Sequence, residues 1–449
     1  MGAGPAGIGV LVAACNSGQL QQLLAQRVTI LDQCDKIGAG AIGDYCINSD
    51  SHADTLLRCL DGNLGDRCPQ LLVHPATLAL CAYRGHAAPL PIVADFITAL
   101  ARAVQKIAAQ ANQPIQTGVE AHDAMRNRAG GWTIRARRNA DGAEIELATR
   151  HLVVATGAEQ STSQLRTLSV SGQPLWPRYQ DKLMLSRAVL NADGLATASQ
   201  ILARSEHPHV AIIGGSHSAM SAARVLLDLP GIEWRRESIA ILHRTPLRPM
   251  YPSPDLARAE GYHAFGPNDI CPKTGRVFPL AGFRSDAREL LLRVLGLGKR
   301  PREQRIALID VMRRNGGDIA AILERADIVI AATGYRPRAL PLHDRDGRRI
   351  KLLAECFGSA AMVDHQSRLL DASAVPIPGV FGIGLSAGFP LEGTHGEPSF
   401  RGQANGLALW HSEIGAAIVS SVLDDSADQA AFDLPIAGSG RRPDEIQIS

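Results

Sequence analysis

The sequence predicts an α/β fold in which helices cover parallel sheets, organised as two domains with the second inserted into the first. Two glycine-rich turns, at residues 2–7 and 214–218, are each followed by a helical segment and then by a strand rich in β-branched residues. Two further apolar strands, within 151–160 and 326–341, end in Ala-Thr-Gly. Continuous apolar strands are typical of parallel sheets buried on both faces, and 449 residues allow two or three domains.

The first turn, GAGPAG, places Gly2, Gly4 and Gly7 in the spacing G-x-G-x-x-G. In a Rossmann-like dinucleotide-binding domain the first glycine permits a tight turn and the second lets the backbone approach a diphosphate. The third lets the helix pack closely on the sheet. The helix predicted over 8–25 directs its N-terminal N–H groups at the phosphates. The turn therefore predicts a dinucleotide site.

The strand predicted over 28–31 ends in Asp32, about where this fingerprint places the carboxylate that binds the ribose hydroxyls. The strand that normally precedes the first turn is not in the sequence, because the chain begins inside the turn. Without that central strand, the backbone N–H and C=O groups of its neighbours lose their partners. We therefore expect a further strand upstream and a natural start before Met1.

The second turn lies between a strand predicted over 209–213 and a helix predicted over 219–229. It begins Gly-Gly-Ser from Gly214, so Ser216 stands where the fingerprint has its second glycine, and Ser218 precedes the helix. A serine there still offers a backbone N–H to a phosphate. The layout predicts a second dinucleotide site.

The next predicted strand, 239–242, ends in His243 and Arg244 rather than in an acid. A carboxylate at this place would bind the ribose of NADH, whereas an arginine accommodates a 2′-phosphate. We therefore predict NADPH. The alternative is that Arg244 is a solvated charge at the end of a strand.

Composition and patterning argue against several classes of protein. The net charge is only +2, so the overall charge does not indicate binding to nucleic acid. The eight cysteines include no Cys-x-x-Cys pair, so neither a metal site nor a redox dithiol is predicted. The sequence contains no run of about 20 apolar residues, so no membrane span is predicted. We expect a cytoplasmic protein that binds a small molecule.

Five segments, in this order, resemble the flavoproteins with two dinucleotide-binding domains: GAGPAG with Asp32, TGVEAHDA (117–124), VVATGA, IIGGSHSA and IAATGYRP. In particular the chain resembles the flavin-containing and N-hydroxylating monooxygenases, the class B flavoprotein monooxygenases. The resemblance implies FAD on the first turn and NADPH on the second. The residues that it assigns to FAD are Gly2, Gly4, Gly7, Asp32, Val119, Thr156, Gly157 and Gly384. Those that it assigns to NADPH are Gly214, Ser216, Ser218, His243, Arg244, Thr333, Gly334 and Tyr335.

Two departures from related families refine the resemblance. The F-x-G-x-x-x-H stretch of flavin-containing monooxygenases is not found before the second turn. Leu385 and Ser386 stand where disulfide reductases carry Gly-Asp, which fits the monooxygenases better.

The resemblance also implies the chemistry. NADPH reduces FAD, the reduced flavin captures O2 as a flavin peroxide, and one oxygen passes to a nucleophilic nitrogen or sulfur of a small metabolite. Within residues 43–54, Asn48 is the candidate for hydrogen bonding to the peroxide or the nicotinamide, and His52 the candidate proton donor. The alternative is a polar loop in which Asp50, Ser51 or Asp54 caps the following helix.

The predicted boundaries give a first part of the FAD domain over 1–165 and an NADPH domain over 166–325. The second part of the FAD domain covers 326–424, and 425–449 is a loose tail. An insertion at 248–283, rich in proline and aromatic residues, is the candidate for substrate recognition. Two other functions fit the same motifs: a flavoprotein reductase or oxidase without a dithiol, and a non-catalytic nucleotide-binding protein.

Overall fold

The computed structural model describes residues 2–112, 115–356, 362–390, 396–404 and 406–427. Its elements follow one another in three stretches of chain: a first domain, a second domain inserted into it, and a return to the first. No helix within these ranges is both long and apolar enough to cross a bilayer.

The first stretch contains both helices and strands. Its helices are α1 (Pro5–Asn16), α2 (Leu20–Ala25), α3 (Ala53–Leu57), α4 (Asn63–Arg67), α5 (Pro69–Leu72), α6 (Pro75–Cys81), α7 (Leu90–Gln110) and α8 (Thr162–Arg166). Its strands are β1 (Ile30–Asp32), β2 (Asn48–His52), β3 (Ala87–Pro89), β4 (Ile115–Thr117), β5 (Val119–Arg126), β6 (Trp132–Arg138), β7 (Glu144–Thr149), β8 (Leu152–Val154), β9 (Ala158–Glu159), β10 (Ser169–Val170) and β11 (Gln173–Pro174).

The second and third stretches complete the molecule. The second contains β12 (Leu183–Leu185), α9 (Ser186–Val189), α10 (Ala192–Leu202), β13 (Val210–Ile213), α11 (His217–Leu227), β14 (Ile239–His243), α12 (Pro254–Ala259), α13 (Ser285–Leu295), β15 (Ile306–Asp310), α14 (Gly316–Arg325) and β16 (Ile328–Ala331). The third contains β17 (Arg336–Pro337), β18 (Leu342–His343), β19 (Arg349–Ile350), α15 (Leu353–Cys356), β20 (Arg368–Leu370), β21 (Pro376–Gly382), β22 (Phe389–Pro390), β23 (Gln403–Ala404), α16 (Leu407–Trp410) and α17 (Glu413–Ala427).

The second domain is built on a parallel five-stranded sheet with the order β12-β16-β13-β14-β15. Along β13, Val210 and Ile212 pack with α10, α11 and α13 on one face. Ala211 and Ile213 pack with α14 on the other. Both faces are buried, as the continuous apolar strands predicted.

The order of this sheet reverses beside β13, which pairs with β14 on one side and with β16 on the other. Connections therefore leave the sheet in opposite directions at this point and open a crevice at the carboxyl ends of the strands. Ligands of open α/β sheets bind in such crevices. The second glycine turn follows β13 directly and lies there.

The first domain contains several smaller sheets. β1 pairs with β4 in parallel, and β8 pairs with β21 in parallel. A five-stranded sheet, β19-β18-β5-β6-β7, packs its buried residues against β8 and β21. Because β8 precedes the second domain and β21 follows it, the second domain is inserted into the first, as predicted.

The two passages between the domains run side by side. β9, just after the first Ala-Thr-Gly, pairs antiparallel with β17, just after the second. Arg338 forms an ion pair with Glu159 across this pair, with Nε and Oε2 2.9 Å apart. The chain therefore leaves and re-enters the first domain through one double connection.

Several boundaries differ from those expected. The helix predicted over 8–25 is divided into α1 and α2, with Gly18 in a left-handed conformation (φ +77) between them. The strand predicted over 28–31 lies at 30–32. The domain boundary expected at 326 falls before β16, which pairs within the second sheet.

The insertion at 248–283 forms a small aromatic core of its own. The rings of Tyr251 and Tyr262 stack with centroids 5.6 Å apart, and the Arg288 guanidinium lies 4.7 Å from the Tyr251 centroid. Glu260 is largely buried between Arg288 and Arg300, with Oε1 3.1 Å from Nη1 of Arg300. Burial, together with the charge of Glu260, raises the pKa of Tyr251 to about 12. The carboxylate of Glu260 therefore anchors the insertion to α13.

We predict that Glu260→Gln lowers the free energy of unfolding by roughly 2–4 kcal/mol, because it leaves buried guanidinium groups short of their counter-charge. Glu289→Gln is the matched control: Glu289 also binds Arg300, with Nε 2.8 Å from its carboxylate, but its side chain is 47% exposed. That loss should stay under about 1 kcal/mol. Urea unfolding measures both values, and equal losses would contradict the anchoring role.

Candidate functional site

The first glycine turn is shaped by a close approach of two backbone segments. Gly2 has φ +91, and a β-carbon on it would lie 2.1 Å from the carbonyl oxygen of Ala155. A β-carbon on Gly7 would lie 1.7 Å from the carbonyl oxygen of Gly2, whereas Gly4 has nothing within 4 Å of that position. α1 begins at Pro5 with no side chain capping its N-terminus. The turn therefore offers an open backbone surface and a helix dipole, which fit a diphosphate.

Asp32 lies directly beside this turn. Its Oδ2 accepts a hydrogen bond from the Ala3 N–H at 2.6 Å, and its Oδ1 accepts one from the Cys34 N–H at 2.8 Å. The Gly118 N–H donates to the carbonyl oxygen of Cys34 at 3.3 Å, which brings the buried Val119 to the same end of β1. A carboxylate oxygen accepts more than one hydrogen bond, so Asp32 retains acceptor capacity for a ribose.

A third element reaches the first turn from the far end of the chain. Gly384 has φ +84, and a β-carbon on it would lie 2.6 Å from Cβ of Ala6. Next to it, Trp410 is buried and its Nε1 has no hydrogen-bond partner in the part of the chain that the structure describes. Burial lowers the pKa of the neighbouring His411 to about 4, so this ring is neutral. An orphaned donor at this place fits a bound polar group such as FAD.

The second glycine turn repeats the construction of the first. Gly214 has φ +130, and a β-carbon on it would lie 2.2 Å from the carbonyl oxygen of Ala332. Ser216 is the N-cap residue of α11, and its hydroxyl donates to that same carbonyl at 3.3 Å. Ala155 and Ala332 are the alanines of the two Ala-Thr-Gly segments, so each of these segments supports one glycine turn. The serine at the second glycine position is accommodated because its hydroxyl points back into the protein.

The carboxyl end of β14 borders this second turn. A β-carbon on Gly215 would lie 3.1 Å from Cβ of His243. His243 is buried, with Nδ1 3.0 Å from the Thr245 carbonyl oxygen, and desolvation lowers its pKa. Arg244 is exposed and forms no ion pair with any described residue. A free guanidinium beside the turn is available to an anionic group.

The two Thr-Gly steps open toward solvent. Gly157 (φ +73) and Gly334 (φ +91) both have nothing within 4 Å of the β-carbon position. Thr156 donates its hydroxyl to the Arg338 carbonyl oxygen, and Thr333 is exposed. The Tyr335 hydroxyl instead lies 2.6 Å from that of Tyr45, and burial raises its pKa. Tyr335 therefore joins the two domains at this point.

A cavity of about 380 Å³ lies between the two domains, next to the second turn. Its walls come from β2 with the residues before it, from the outer face of α11 and from the start of α13. The lining residues are Cys46, Ile47, Asn48, Ser49, Asp50, Leu90, His217, Ser218, Ser221, Arg224, Val225, Asp228, Arg284, Ser285, Asp286 and Ala287.

Side chains of β2 and α13 bind each other across this cavity. The Asn48 amide donates to Oδ2 of Asp286 at 2.9 Å. Asp50 forms an ion pair with Arg284. Desolvation alone would raise the pKa of Asp50, but Arg284 and the other groups around it hold the pKa below its usual range. The Asp50 carboxylate is therefore ionised and committed to Arg284.

His217, the first residue of α11, completes this contact. Its Nε2 accepts a hydrogen bond from the Arg284 backbone N–H at 3.1 Å, and its ring packs on Phe283 with centroids 4.9 Å apart. Burial lowers the pKa of His217 to about 4, so the ring is neutral at physiological pH. Its role in this contact is that of an acceptor.

The candidate catalytic residues differ in their placement. Asn48 lines the cavity, whereas His52 is exposed at the end of β2 and is not among the lining residues. The capping alternative for this segment does not hold either, because Asp50 and Asp54 bind arginines and no side chain caps α3.

Arg284, Asp286 and His217 were not predicted from the sequence. Asp286 lies in the first turn of an amphipathic helix, where an acidic residue is ordinarily explained by the helix dipole. His217 is one residue of a glycine-turn motif whose conserved feature is backbone geometry. Only the packing of α13 against β2 distinguishes these residues.

Comparison with known proteins supports the resemblance. No protein-family model matches the chain. A CMP-5'-(3-aminopropyl)phosphonate hydroxylase of Streptomyces rubellomurinus is 28% identical over 439 residues, which cover 94% of this chain and 96% of that protein. The ornithine hydroxylase PvdA of Pseudomonas aeruginosa has a similar structure, with a TM-score of 0.51 and 16% identity over 94% of this chain and 97% of that one. The FAD-bound cadaverine monooxygenase DfoA of Erwinia amylovora gives a TM-score of 0.49 and 12% identity, over 98% and 97%.

The structural likeness shows the fold, which is that of the flavoproteins with two Rossmann-type nucleotide-binding domains. The sequence relative is a hydroxylase that is matched along nearly its whole length, and it supports an oxidoreductase activity for this chain. The resemblance to the class B flavoprotein monooxygenases agrees with this relative. Among the described residues no group of three or more His, Cys, Asp or Glu is placed to bind a metal.

We predict that Gly214→Ala lowers the free energy of unfolding by roughly 2–5 kcal/mol, because the methyl group meets the Ala332 carbonyl and the backbone must move. Gly231→Ala is the control: Gly231 also has a positive φ (+74), but nothing lies within 4 Å of its β-carbon position. That substitution should cost about 1 kcal/mol from backbone strain alone. Urea unfolding compares them, and similar losses would argue against the close approach.

Proposed function

We propose that this enzyme uses FAD and NADPH to transfer one oxygen atom from O2 to the amino nitrogen of a small metabolite. The overall reaction is R–NH2 + O2 + NADPH + H⁺ → R–NHOH + H2O + NADP⁺. Bound FAD would supply the redox chemistry, since it accepts hydride from NADPH and activates O2. The protein has to bind both dinucleotides, exclude water and hold the amine.

The observation that carries this proposal is the pair of glycine turns built alike. Each turn leaves open space over the backbone, lies at a helix N-terminus and is supported by the alanine of an Ala-Thr-Gly segment. One turn alone would suit many nucleotide-binding proteins. Two turns within one chain fit an enzyme that passes hydride from one dinucleotide to another.

In this proposal the FAD diphosphate rests on Gly2, Gly4 and Gly7. The remaining residues assigned to this dinucleotide are Asp32 for the ribose, Val119 on the adenine side, and Thr156, Gly157 and Gly384. NADPH rests on the second turn, and its assigned residues are Gly214, Ser216, Ser218, His243, Arg244, Thr333, Gly334 and Tyr335. Asn48 is retained as the candidate that hydrogen-bonds near the reacting atoms, and His52 as a more distant proton donor.

The amine is proposed for two reasons. The curated relative is named for a compound with an aminopropyl group, in which the amine is the nucleophilic heteroatom. The interdomain cavity has the size of a small-molecule site and combines an apolar wall with convergent polar groups. A small-molecule substrate with O2, rather than nucleic acid, and a cytoplasmic location are part of the same proposal. The free cysteines among the described residues fit a reducing compartment.

The test follows the flavin absorbance of the purified enzyme. Under anaerobic conditions NADPH should bleach the flavin band. Admission of air in the presence of CMP-5'-(3-aminopropyl)phosphonate should then give a hydroxylated amine in an amount close to the NADPH consumed. If hydrogen peroxide were the sole product with every amine tried, the chain would be an oxidase. A protein purified without flavin and unable to take it up would contradict both enzymatic readings.

We predict that Arg244→Ala raises the Kd for NADPH about tenfold or more and leaves NADH unaffected, because a charge-assisted contact with the 2′-phosphate is lost. Arg236→Ala serves as the control, since Arg236 is an exposed arginine just before β14, at the opposite end of the strand. Arg236→Ala should change neither the Kd for NADPH nor the Kd for NADH. Equal losses for both nucleotides in Arg244→Ala would show that this arginine does not bind the phosphate.

A further inference from the structure

The cavity between the domains carries an uncompensated negative charge. Three carboxylates line it, from Asp50, Asp228 and Asp286, together with two guanidinium groups, from Arg224 and Arg284. The remaining titratable ring on its wall, His217, is neutral at physiological pH. A cavity of this kind attracts a cation.

The charge can be assigned to one residue. Asp50 is paired with Arg284, and Asp228 is paired with Arg224 at 2.9 Å. Asp286 forms no ion pair with any described residue. Its carboxylate is near enough to influence Arg224 electrostatically, yet that guanidinium is hydrogen-bonded to Asp228. Among the described residues, the Asp286 carboxylate has one direct partner, the neutral amide of Asn48.

We propose that Asp286, held in place by Asn48, is the specificity-determining residue that binds the ammonium group of the substrate. This inference rests on the proposed function for the identity of the amine, but the geometry for binding a cation stands by itself. An ammonium group has three donors, which match a carboxylate and the amide oxygen of an asparagine. Alkyl amines are protonated in neutral water, so the form that arrives at the cavity is the ammonium.

The rest of the cavity suits the alkyl part of such a molecule. Ile47, Leu90, Val225 and Ala287 supply an apolar wall. Burial of methylene groups against such a wall favours binding. A short alkyl chain with an ammonium at its end therefore fits both the apolar wall and the free carboxylate.

The same contact has a purely structural interpretation, in which Asn48 and Asp286 fasten β2 to α13. That role is already filled by the ion pair of Asp50 with Arg284 and by the Ser285 hydroxyl, which donates to the Asp50 carbonyl oxygen at 3.2 Å. A carboxylate is not required for one more such contact, because an amide oxygen would accept the same hydrogen bond. The two interpretations therefore differ in what Asp286→Asn does.

The experiment measures binding by calorimetry on the full chain as purified with its flavin. The probes are 3-aminopropylphosphonate, propylamine and propylphosphonate, which lacks the ammonium. We expect the Kd of both amines to rise about tenfold or more in Asp286→Asn, because a charge-assisted contact is lost. The Kd of propylphosphonate should remain as in the unmodified enzyme. Unchanged amine binding in the variant would overturn the inference.

Asp228→Asn is the matched control. It removes a carboxylate from the same cavity, but one that Arg224 already neutralises and that is 63% exposed. Its effect on amine binding should stay under about threefold. An effect equal to that of Asp286→Asn would mean that the net charge of the cavity, rather than Asp286, attracts the amine. Thermal unfolding of each variant separates a loss of fold from a loss of binding.

Failure of this inference can be told apart from failure of the proposed function. In this inference Asp286 binds the amine and not NADPH, so reduction of the flavin is followed separately at the flavin band. If Asp286→Asn binds amines normally while reduction and hydroxylation proceed, only the assignment of Asp286 is wrong. If amines bind through Asp286 but none is hydroxylated, the cation site stands and the proposed function falls.

Discussion

The architecture depends on one backbone constraint that occurs twice. At Gly2 and again at Gly214, a carbonyl oxygen of an Ala-Thr-Gly segment occupies the space that a β-carbon would need. This close approach draws the turn against the strand end and leaves the following helix N-terminus open above it. The same alanines precede the two points where the chain passes between domains. Each glycine turn is therefore coupled to a domain crossing, and the two crossings pair with each other through β9 and β17.

A second contact sets how the domains meet around the cavity. The start of α13 binds β2 through Arg284 and Asp286, while the backbone of Arg284 binds His217 at the start of α11. One short segment thus touches the first domain and the helix above the second glycine turn. The cavity lies inside this junction, so its shape depends on both domains. Substrate recognition and nucleotide binding would then depend on the same contacts between the domains.

Much of the fold and the two glycine turns could be predicted, because both depend on local rules. Gly2, Gly4 and Gly7 reveal a turn through spacing alone, and β13, β14 and β16 reveal a parallel sheet through unbroken apolar runs. The boundaries of short helices and strands were predicted less accurately. Residues 48–52 carry polar side chains, and a loop was the alternative for this segment, yet they form β2 because β3 pairs with them. Tyr335 follows the second Thr-Gly, and the contact of its hydroxyl with Tyr45 of the other domain was not predicted.

The sequence by itself determined the class of fold and the two glycine turns, because glycine spacing and strand patterning are encoded over a few neighbouring residues, and its resemblance to the monooxygenases indicated the kind of enzyme. The tertiary structure alone decided which polar residues face the cavity. Asn48 and Asp286 are 238 residues apart in the chain, and their contact exists only because two domains pack together. It also decided that His52 lies outside the cavity while Asn48, four residues earlier on the same strand, lines it. Domain packing determines which strand end contacts which helix, and no local sequence pattern predicts that packing.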